Sequence, residues 1–387
     1  MALQATSARE VLARCHRALL DVRPREIGAL TGLRGLAAGW VVALHVSLQL
    51  DPNGGVSSPI DHLARAGYLG VDLFFVLSGF VIAENYRQFF GRWDASAYWR
   101  FLFVRLGRIY PVHFVMLLAT LAAVLLAATL GRHPETGGVD YSPLAFVANL
   151  LLVQAWGWPQ LSWNVVAWTI SAEWFAYLVF PLVARTLSAR LVSRAARLLA
   201  VLLAYGAMLA ILASVGFLAA TSELGLLRVT AGFSSGVVIW LWTRDAPLSE
   251  TACLVATVVG ISGLVTTALL MPATALTNQA LWPAPWFVLL VLGLTADRGP
   301  IARLLSSPPA IYLGRVSYSL YMVHVWVIFS IRTLVGSRLD AASQGIGVAV
   351  LAPIASIGVA TLMFLVIEEP FRQRAKALVR REERRVL

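Results

Sequence analysis

Residues 31–45 of the chain are TGLRGLAAGWVVALH, and they place Arg34 and His45 within one apolar segment. The spacing is close to three turns of an α-helix, so both side chains should emerge on one face, about 16 Å apart along the axis. Ionisable groups are costly inside a lipid bilayer. The pair is therefore a candidate functional site within a membrane-spanning helix.

The composition of the whole chain is typical of a membrane protein. Of its 387 residues, 59% are hydrophobic and 13% are charged, whereas soluble domains carry about 25% charged residues. The sequence predicts an all-α fold, a polytopic membrane helical bundle with about 10 transmembrane helices. The apolar segments of spanning length lie near 28–50, 67–86, 109–130, 165–186, 197–219, 225–243, 251–271, 278–296, 310–332 and 345–367.

A further apolar stretch, 144–156, is shorter than the ~20 residues that a spanning helix needs. Basic residues cluster in 87–108, in 185–197 and after Arg372. If 144–156 does not cross, these clusters and the N-terminus all lie on the cytoplasmic side, as the positive-inside rule requires. We therefore expect a re-entrant or interfacial segment there, and both termini in the cytoplasm. The predicted parts are a cytoplasmic N-terminal segment (1–26), a transmembrane domain (27–371) and a basic cytoplasmic tail (372–387).

Charge and cysteine content narrow the possible partners. The net charge of +11 comes mainly from arginines between the apolar segments, which is a topology signal and does not indicate nucleic acid binding. Cys15 and Cys253 show no metal-ligand spacing, so the sequence indicates neither a disulfide framework nor a metal site. Five arginines without an uninterrupted apolar core argue against a cleaved signal peptide, so the first span should direct insertion; they are Arg9, Arg14, Arg17, Arg23 and Arg25.

Four ionisable residues fall at a similar depth once the spans are oriented. His45, Asp72, Glu173 and His324 each lie roughly 18–22 Å from the cytoplasmic side at the rise of an α-helix. Charged groups at this depth usually face the bundle interior and pair with each other. We expect one shared polar cavity. The alternative is that a backbone carbonyl or a neighbouring hydroxyl satisfies each of them separately.

A second basic feature lies at the cytoplasmic end of the third span. Arg105 and Arg108, in RLGRIYP, are neighbours on one helix face, and paired arginines suit bidentate recognition of phosphate. Arg34 lies at the same depth, where snorkelling to the headgroups is the alternative. Acyl-coenzyme A has phosphates at one end and a thioester at the end of a long arm. The ~16 Å between Arg34 and His45 is compatible with that arm.

Six sequence blocks, taken in order, resemble those of the acyltransferase 3 family of integral-membrane O-acyltransferases over nearly the whole chain. Thr31, Thr169, Trp174 and Ala176 depart from the usual pattern of that family. The six blocks are LRGLAAGWVVALH (33–45), GVDLFFVLSGFVI (70–82), RLGRIYP (105–111), AWTISAEWFAYLVFP (167–181), LGRVSYSLYMVH (313–324) and IEEPFR (367–372).

The resemblance implies transfer of an acyl group, usually acetyl, from cytoplasmic acyl-coenzyme A to a hydroxyl of a carbohydrate or glycosylated acceptor. His45 would be the general base, and Glu173 would orient it or favour its protonated form. Arg34, Arg105 and Arg108 would bind the donor. No tightly bound cofactor is implied, and the sequence lacks the fused extracytoplasmic hydrolase domain of some members. Candidates for acceptor contact or for support of the site are Asp72, Ser78, Trp168, Ser317, Tyr318, Tyr321, His324 and Glu368.

Two other functions remain open at this stage. Many spans, polar residues at mid-membrane depth and a basic mouth would also serve a secondary transporter or exporter of an anionic or sugar compound. A non-catalytic partner in a polysaccharide export assembly would retain the same fold. For an enzyme, the sequence leaves open the acceptor, the acyl chain length and whether the acyl group is first bound to histidine. The expected location is the bacterial inner membrane.

Overall fold

The computed structural model describes residues 15–20, 26–51, 58–91, 93–131, 138–158, 160–190, 193, 195–203, 206, 224–245, 247–270, 284–336 and 341–386. Within these ranges the regular structure is helical, and one isolated β-bridge joins Asp140 to Ser162. The predicted all-α fold is confirmed.

The helices with defined ends are numbered in chain order. They are α1 (Gly28–Leu50), α2 (Pro59–Arg65), α3 (Leu69–Asn85), α4 (Ala95–Thr129), α5 (Pro143–Leu150), α6 (Trp168–Arg190), α7 (Gly225–Asp245), α8 (Glu250–Leu270), α9 (Ala284–Leu294), α10 (Pro300–Leu305), α11 (Pro308–Gly336), α12 (Ala341–Met363) and α13 (Glu369–Val386). A π-helical turn, Phe364–Glu368, joins α12 to α13.

Seven helical stretches among the described residues are long and apolar enough to cross a membrane. They correspond to seven of the ten predicted segments. The predicted segment 310–332 also forms a helix, the 29-residue α11, whose apolar sequence is interrupted by Arg315 and several serines. The seven stretches are Gly28–Leu50, Pro59–Asn85, Ala95–Thr129, Val165–Ser188, Gly225–Arg244, Glu250–Leu270 and Gly347–Arg384.

Some predictions concern residues outside the described ranges. The predicted segment 197–219 is described only at 197–203 and 206, and 278–296 only from Ala284 onward, where α9 begins. Most of the predicted N-terminal segment 1–26 also lies outside. So do four of its arginines, namely Arg9, Arg14, Arg23 and Arg25.

The apolar stretch 144–156 does not form a spanning helix. Its only α-helix, α5, has eight residues and rises about 12 Å, well short of the roughly 30 Å bilayer core. The flanking chain returns to its starting point, since the Asp140 amide donates to the Leu161 carbonyl at 2.8 Å. The segment therefore leaves the bundle on the side at which it entered, as the sequence predicted.

Helices α1 and α11 form the most extensive contact among the described helices and carry six of the thirteen candidate site residues. Glycines make it possible: a Cβ on Gly35 would lie 2.6 Å from the backbone nitrogen of Gly314, and a Cβ on Gly314 would clash with the Thr31 carbonyl. Small residues allow helix backbones to approach closely where lipid provides no hydrophobic driving force. The Asp297 carboxylate caps α1 by accepting from the Gly28 and Ala29 amides at 3.0 and 2.8 Å.

Helices α3 and α7 pack against each other in the same way. A Cβ on Gly79 would clash with the Phe233 carbonyl, and a Cβ on Gly236 would clash with the Val76 carbonyl. This contact brings Asp72 and Ser78 of α3 next to α7 and α6. The two glycine-mediated pairs, α1–α11 and α3–α7, lie side by side because α1 also contacts α3.

The basic C-terminal tail is a helix packed on the bundle. Helix α13 lies against α4, where Gly107 leaves room for Ala375. The predicted boundary at 372 falls inside this helix, one turn after its start. The N-terminal stretch 15–20 is also attached, because Arg315 of α11 donates to the Ala18 carbonyl at 2.8 Å.

Candidate active site

Two adjoining cavities lie between α1, α3 and α4. The outer cavity, about 320 Å³, is lined by the start of α1, the end of α3 and two basic residues of α13, Arg372 and Lys376. The inner cavity is narrower, about 70 Å³, and is lined by α1, α3, α4, α6 and α11. Arg34, Arg105 and Arg108 line both cavities and so mark the junction between them.

The three junction arginines are basic groups at the point where the two cavities meet. Among the residues that the structure describes, none accepts a hydrogen bond from, or forms a salt bridge with, these guanidinium groups. Arg105 is 7% exposed, and its guanidinium lies 4.8 Å from the centre of the Tyr86 ring. Its Nε is buried without a hydrogen bond. Buried charged groups without partners are costly, so this junction is suited to binding an anion.

Glu173 faces the inner cavity from α6. Its Oε1 accepts hydrogen bonds from Ser78 Oγ at 2.7 Å and from the Tyr177 hydroxyl at 2.5 Å. Its charge interacts with those of Arg34 and Arg108 across the cavity. Glu173 was expected to orient His45 or to favour its protonated form. Among the described residues no hydrogen bond joins the two, and both hydrogen bonds of this carboxylate go to hydroxyl groups of α3 and α6.

Helix α11 contributes three hydroxyl-bearing residues to the inner cavity. Ser317 donates to the Gly314 carbonyl at 2.8 Å, and Tyr321 donates to the Val166 carbonyl at 3.2 Å. The Tyr318 hydroxyl donates to the Ile109 carbonyl of α4. Each of these three hydroxyl hydrogens therefore has a backbone carbonyl as its acceptor.

The two candidate histidines meet at the contact between α1 and α11. His45 Nδ1 lies 3.2 Å from His324 Nε2, and the ring centres are 4.8 Å apart at 73°. His324 is fully buried, whereas His45 is half-buried. Neither ring lines the inner cavity. Tyr321 does, and its ring centre is 5.7 Å from that of His324. Of the two histidines, His324 therefore contacts a residue of the cavity lining, and His45 contacts His324.

Asp72 belongs to a separate cluster. Arg228 of α7 donates to both of its carboxylate oxygens, at 3.1 and 2.8 Å, and both side chains are buried. The guanidinium group also lies over the Trp168 ring, 5.2 Å from its centre. This bidentate pair joins α3 to α7 and holds Trp168 against them.

Glu368 lies in the π-helical turn before α13. Its Oε2 accepts from Ser319 Oγ at 2.7 Å, and both residues are buried. Its charge interacts with Arg108 and Arg34. π-Helical turns are frequent at functional sites, and this one sets a carboxylate behind the arginine junction.

The prediction of one cavity shared by His45, Asp72, Glu173 and His324 is wrong. Only Glu173 lines the inner cavity, while the two histidines pair with each other and Asp72 pairs with Arg228. Depth along a helix fixes the layer in which a residue lies. It does not fix the direction in which the side chain points around the helix axis, and that direction separated these four.

Three residues that bond to the predicted site residues escaped the sequence analysis: Tyr177, Arg228 and Ser319. Tyr177 follows Glu173 by one helical turn, so its shared face could have been recognised. Arg228 is near the start of its apolar segment, where arginine is usually attributed to the membrane surface. Within the described ranges, no group of histidine, cysteine, aspartate and glutamate side chains is arranged to hold a metal ion.

Comparison with known proteins identifies the family. The acyltransferase 3 family model, which describes an acyltransferase domain, matches residues 27–367. The chain belongs to the acyltransferase 3 family. It is an integral membrane acyltransferase, and the groups that it transfers are not aminoacyl groups. No solved structure matches the chain.

Curated relatives agree with this assignment. Acyltransferase MdmB of Streptomyces mycarofaciens is 28% identical over 88% of this chain and 90% of its own length. Peptidoglycan O-acetyltransferase OatA of Listeria monocytogenes is 23% identical over 90% of this chain. O-acetyltransferase OatA of Staphylococcus aureus is 24% identical over 79% of it. The aligned region covers 56% and 51% of these two OatA proteins, about half of each.

Proposed function

We propose that this acyltransferase moves an acyl group, acetyl in the simplest case, from acyl-coenzyme A to a hydroxyl of a carbohydrate, a glycolipid or a glycosylated small molecule. One observation carries the donor assignment: Arg34, Arg105 and Arg108 line both cavities and lack hydrogen-bonded acidic partners among the described residues. Guanidinium groups bind phosphate through paired hydrogen bonds. The phosphates would lie in the outer cavity, and the thioester arm would extend into the inner one.

The shape of the cavities supports a donor that is wide at one end and narrow at the other. The outer cavity is more than four times the volume of the inner cavity, in keeping with a bulky nucleotide head and a thin pantetheine arm. The arm would pass between Ser78 on α3 and Ser317 on α11 and reach Tyr321. His45, on the same helix as Arg34, contacts His324, whose ring lies 5.7 Å from that of Tyr321.

His45 would act as the general base. Its Nε2 removes the proton of the acceptor hydroxyl while that oxygen attacks the carbonyl carbon of the thioester. The carbon–sulfur bond then breaks, the ester is released, and the thiolate takes the proton from His45 to leave as free coenzyme A. Glu173 would keep the Tyr177 and Ser78 hydroxyls oriented along the arm, which replaces its predicted role beside His45.

The relatives support the choice of acceptor, and the charge pattern supports the orientation of the protein in the membrane. Two relatives are named as O-acetyltransferases, one of them for peptidoglycan, which supports a hydroxyl on a carbohydrate as acceptor. The basic clusters at 87–108, 185–197 and 372–387 support cytoplasmic termini and a donor entrance on that side. Family membership favours acyl transfer over the transporter interpretation. The proposed location is the bacterial inner membrane.

The donor and base assignments can be tested separately. Purified protein would be given radiolabelled acetyl-coenzyme A, and acetyl transfer to peptidoglycan fragments and a panel of glycosides would be measured beside equilibrium binding of the donor. His45→Ala should reduce turnover by about 100-fold or more and leave donor binding within a few-fold of wild type. The double variant Arg105→Ala/Arg108→Ala should weaken donor binding by at least tenfold, since each charge-assisted hydrogen bond contributes about 1.5–3 kcal/mol.

Matched controls remove a histidine and an arginine elsewhere. His62 of α2 and the exposed Arg303 of α10 lie outside both cavities, so His62→Ala and Arg303→Ala should behave as wild type. Normal turnover in His45→Ala would disprove the base assignment. Unchanged acetyl-coenzyme A binding in the arginine double variant would disprove the donor site.

A further inference from the structure

The tautomers of the two buried histidines follow from their backbone contacts. His45 Nδ1 lies 2.9 Å from the Val41 carbonyl, and His324 Nδ1 lies 2.7 Å from the Tyr321 carbonyl. A carbonyl oxygen only accepts hydrogen bonds, so Nδ1 carries the hydrogen in both rings. Hydrogen-bond partners are the basis on which such tautomers are assigned.

This assignment gives the contact between the rings a direction. A neutral ring with hydrogen on Nδ1 has a lone pair on Nε2. His324 Nε2 is therefore an acceptor, and the donor 3.2 Å away is the Nδ1–H of His45, shared with the Val41 carbonyl. His45 Nε2 then also has a lone pair. Within the described part of the chain no hydrogen bond involves this atom, and His45 is half-buried.

Among the described residues, no carboxylate contacts the histidine pair in the way that one usually supports a histidine base. In catalytic triads an aspartate accepts the Nδ1–H bond, holds the ring in the required tautomer and stabilises the imidazolium that forms. Here Glu173 is bonded to Ser78 and Tyr177, and Asp72 is bonded to Arg228. His324, on helix α11, is the side chain that accepts a hydrogen bond from the Nδ1–H of His45.

We infer that His324 is a positioning residue for His45. It is a neutral hydrogen-bond acceptor in the place that an aspartate takes in a catalytic triad. It fixes the ring with Nε2 free, and it shares the positive charge while His45 holds the proton of the acceptor hydroxyl. This inference rests on the proposed role of His45 as general base. A neutral partner suits a site in the membrane, where an unpaired carboxylate would be costly.

Two near-isosteric variants separate the two nitrogens of His324. The amide of His324→Gln reaches the position of Nε2 and keeps an acceptor for His45, but it lacks the group at Nδ1. The amide of His324→Asn reaches the position of Nδ1 and keeps a donor for the Tyr321 carbonyl, but nothing replaces Nε2. If His324 acts by accepting from His45, the glutamine variant should be the more active. A purely structural role predicts the opposite order, since asparagine keeps the backbone bond.

The experiment measures kcat and KM for acetyl-coenzyme A in wild type, His324→Gln, His324→Asn and His45→Ala, with thermal unfolding of each. We expect kcat of His324→Asn to fall about 100-fold, with His324→Gln at least tenfold above it and KM within threefold of wild type in both. Equal activity of the two variants, or a more active asparagine variant, would overturn the inference. Full activity in His45→Ala would instead contradict the proposed function, on which the inference depends.

Discussion

At the scale of single residues, the buried ion pair between Asp72 and Arg228 is a structural element of the bundle. Both carboxylate oxygens accept from the guanidinium, and the two side chains are 8% and 2% exposed. Breaking a buried pair by removing one partner leaves an uncompensated charge, which costs about 3–5 kcal/mol. The pair lies outside both cavities, so its loss should affect stability without affecting the donor site.

We predict that Asp72→Ala lowers the free energy of unfolding by about 3–5 kcal/mol and leaves acetyl-coenzyme A binding unchanged in the fraction that is folded. Unfolding would be followed in detergent micelles by circular dichroism. The control is Glu250→Ala, which removes an exposed pair with Arg298 at 3.8 Å and should cost at most about 1 kcal/mol. Equal losses in the two variants would contradict the structural role of Asp72.

At the scale of helices, the contact between α1 and α11 positions the histidine pair. Two glycines, Gly35 and Gly314, let the backbones approach, and the contact continues three turns further to His45 and His324. Any side chain inserted at Gly35 would push the helices apart over that distance. Stability and activity should therefore fall together.

Gly35→Ala should reduce stability by about 1–3 kcal/mol, as inserted methyl groups do in packed interiors, and should lower turnover. Gly39→Ala is the matched control, because a Cβ there has no neighbour within 4 Å and alanine favours the helix by about 0.5–1 kcal/mol. Melting temperature and acetyl transfer would be measured for both. A stable and fully active Gly35→Ala variant would show that this close approach is unnecessary.

At the scale of the whole molecule, charge distribution and fold together predict the orientation in the membrane. Trp93 lies within the basic stretch 87–108, after the end of the Pro59–Asn85 span, and is 51% exposed. Ile60 lies in the first turn of α2, at the start of that span, and is 76% exposed. In cells with Cys15→Ser and Cys253→Ser, a membrane-impermeant maleimide should label Ile60→Cys and leave Trp93→Cys unlabelled until the membrane is opened. The reverse labelling would place the arginine junction on the outer face, away from cytoplasmic acyl-coenzyme A.

The sequence by itself determined the class of fold, the non-crossing segment 144–156 and the pairing of Arg105 and Arg108 on one helix face. Long apolar segments can only be helices in lipid, and the spacing of Arg105 and Arg108 places them on one face wherever the helix lies. These properties are local to one segment. Local patterns therefore suffice to predict them.

Only the tertiary structure decided which polar residue pairs with which. The sequence grouped His45, Asp72, Glu173 and His324 by depth. Of these four, the structure pairs only His45 with His324, whereas Glu173 is bonded to Tyr177 and Ser78, and Asp72 to Arg228. The pairing depends on how each helix is rotated about its axis and on which neighbours its glycines allow to approach. Both depend on packing between segments that are far apart in the chain. The spacing of residues within a single helix therefore cannot predict them.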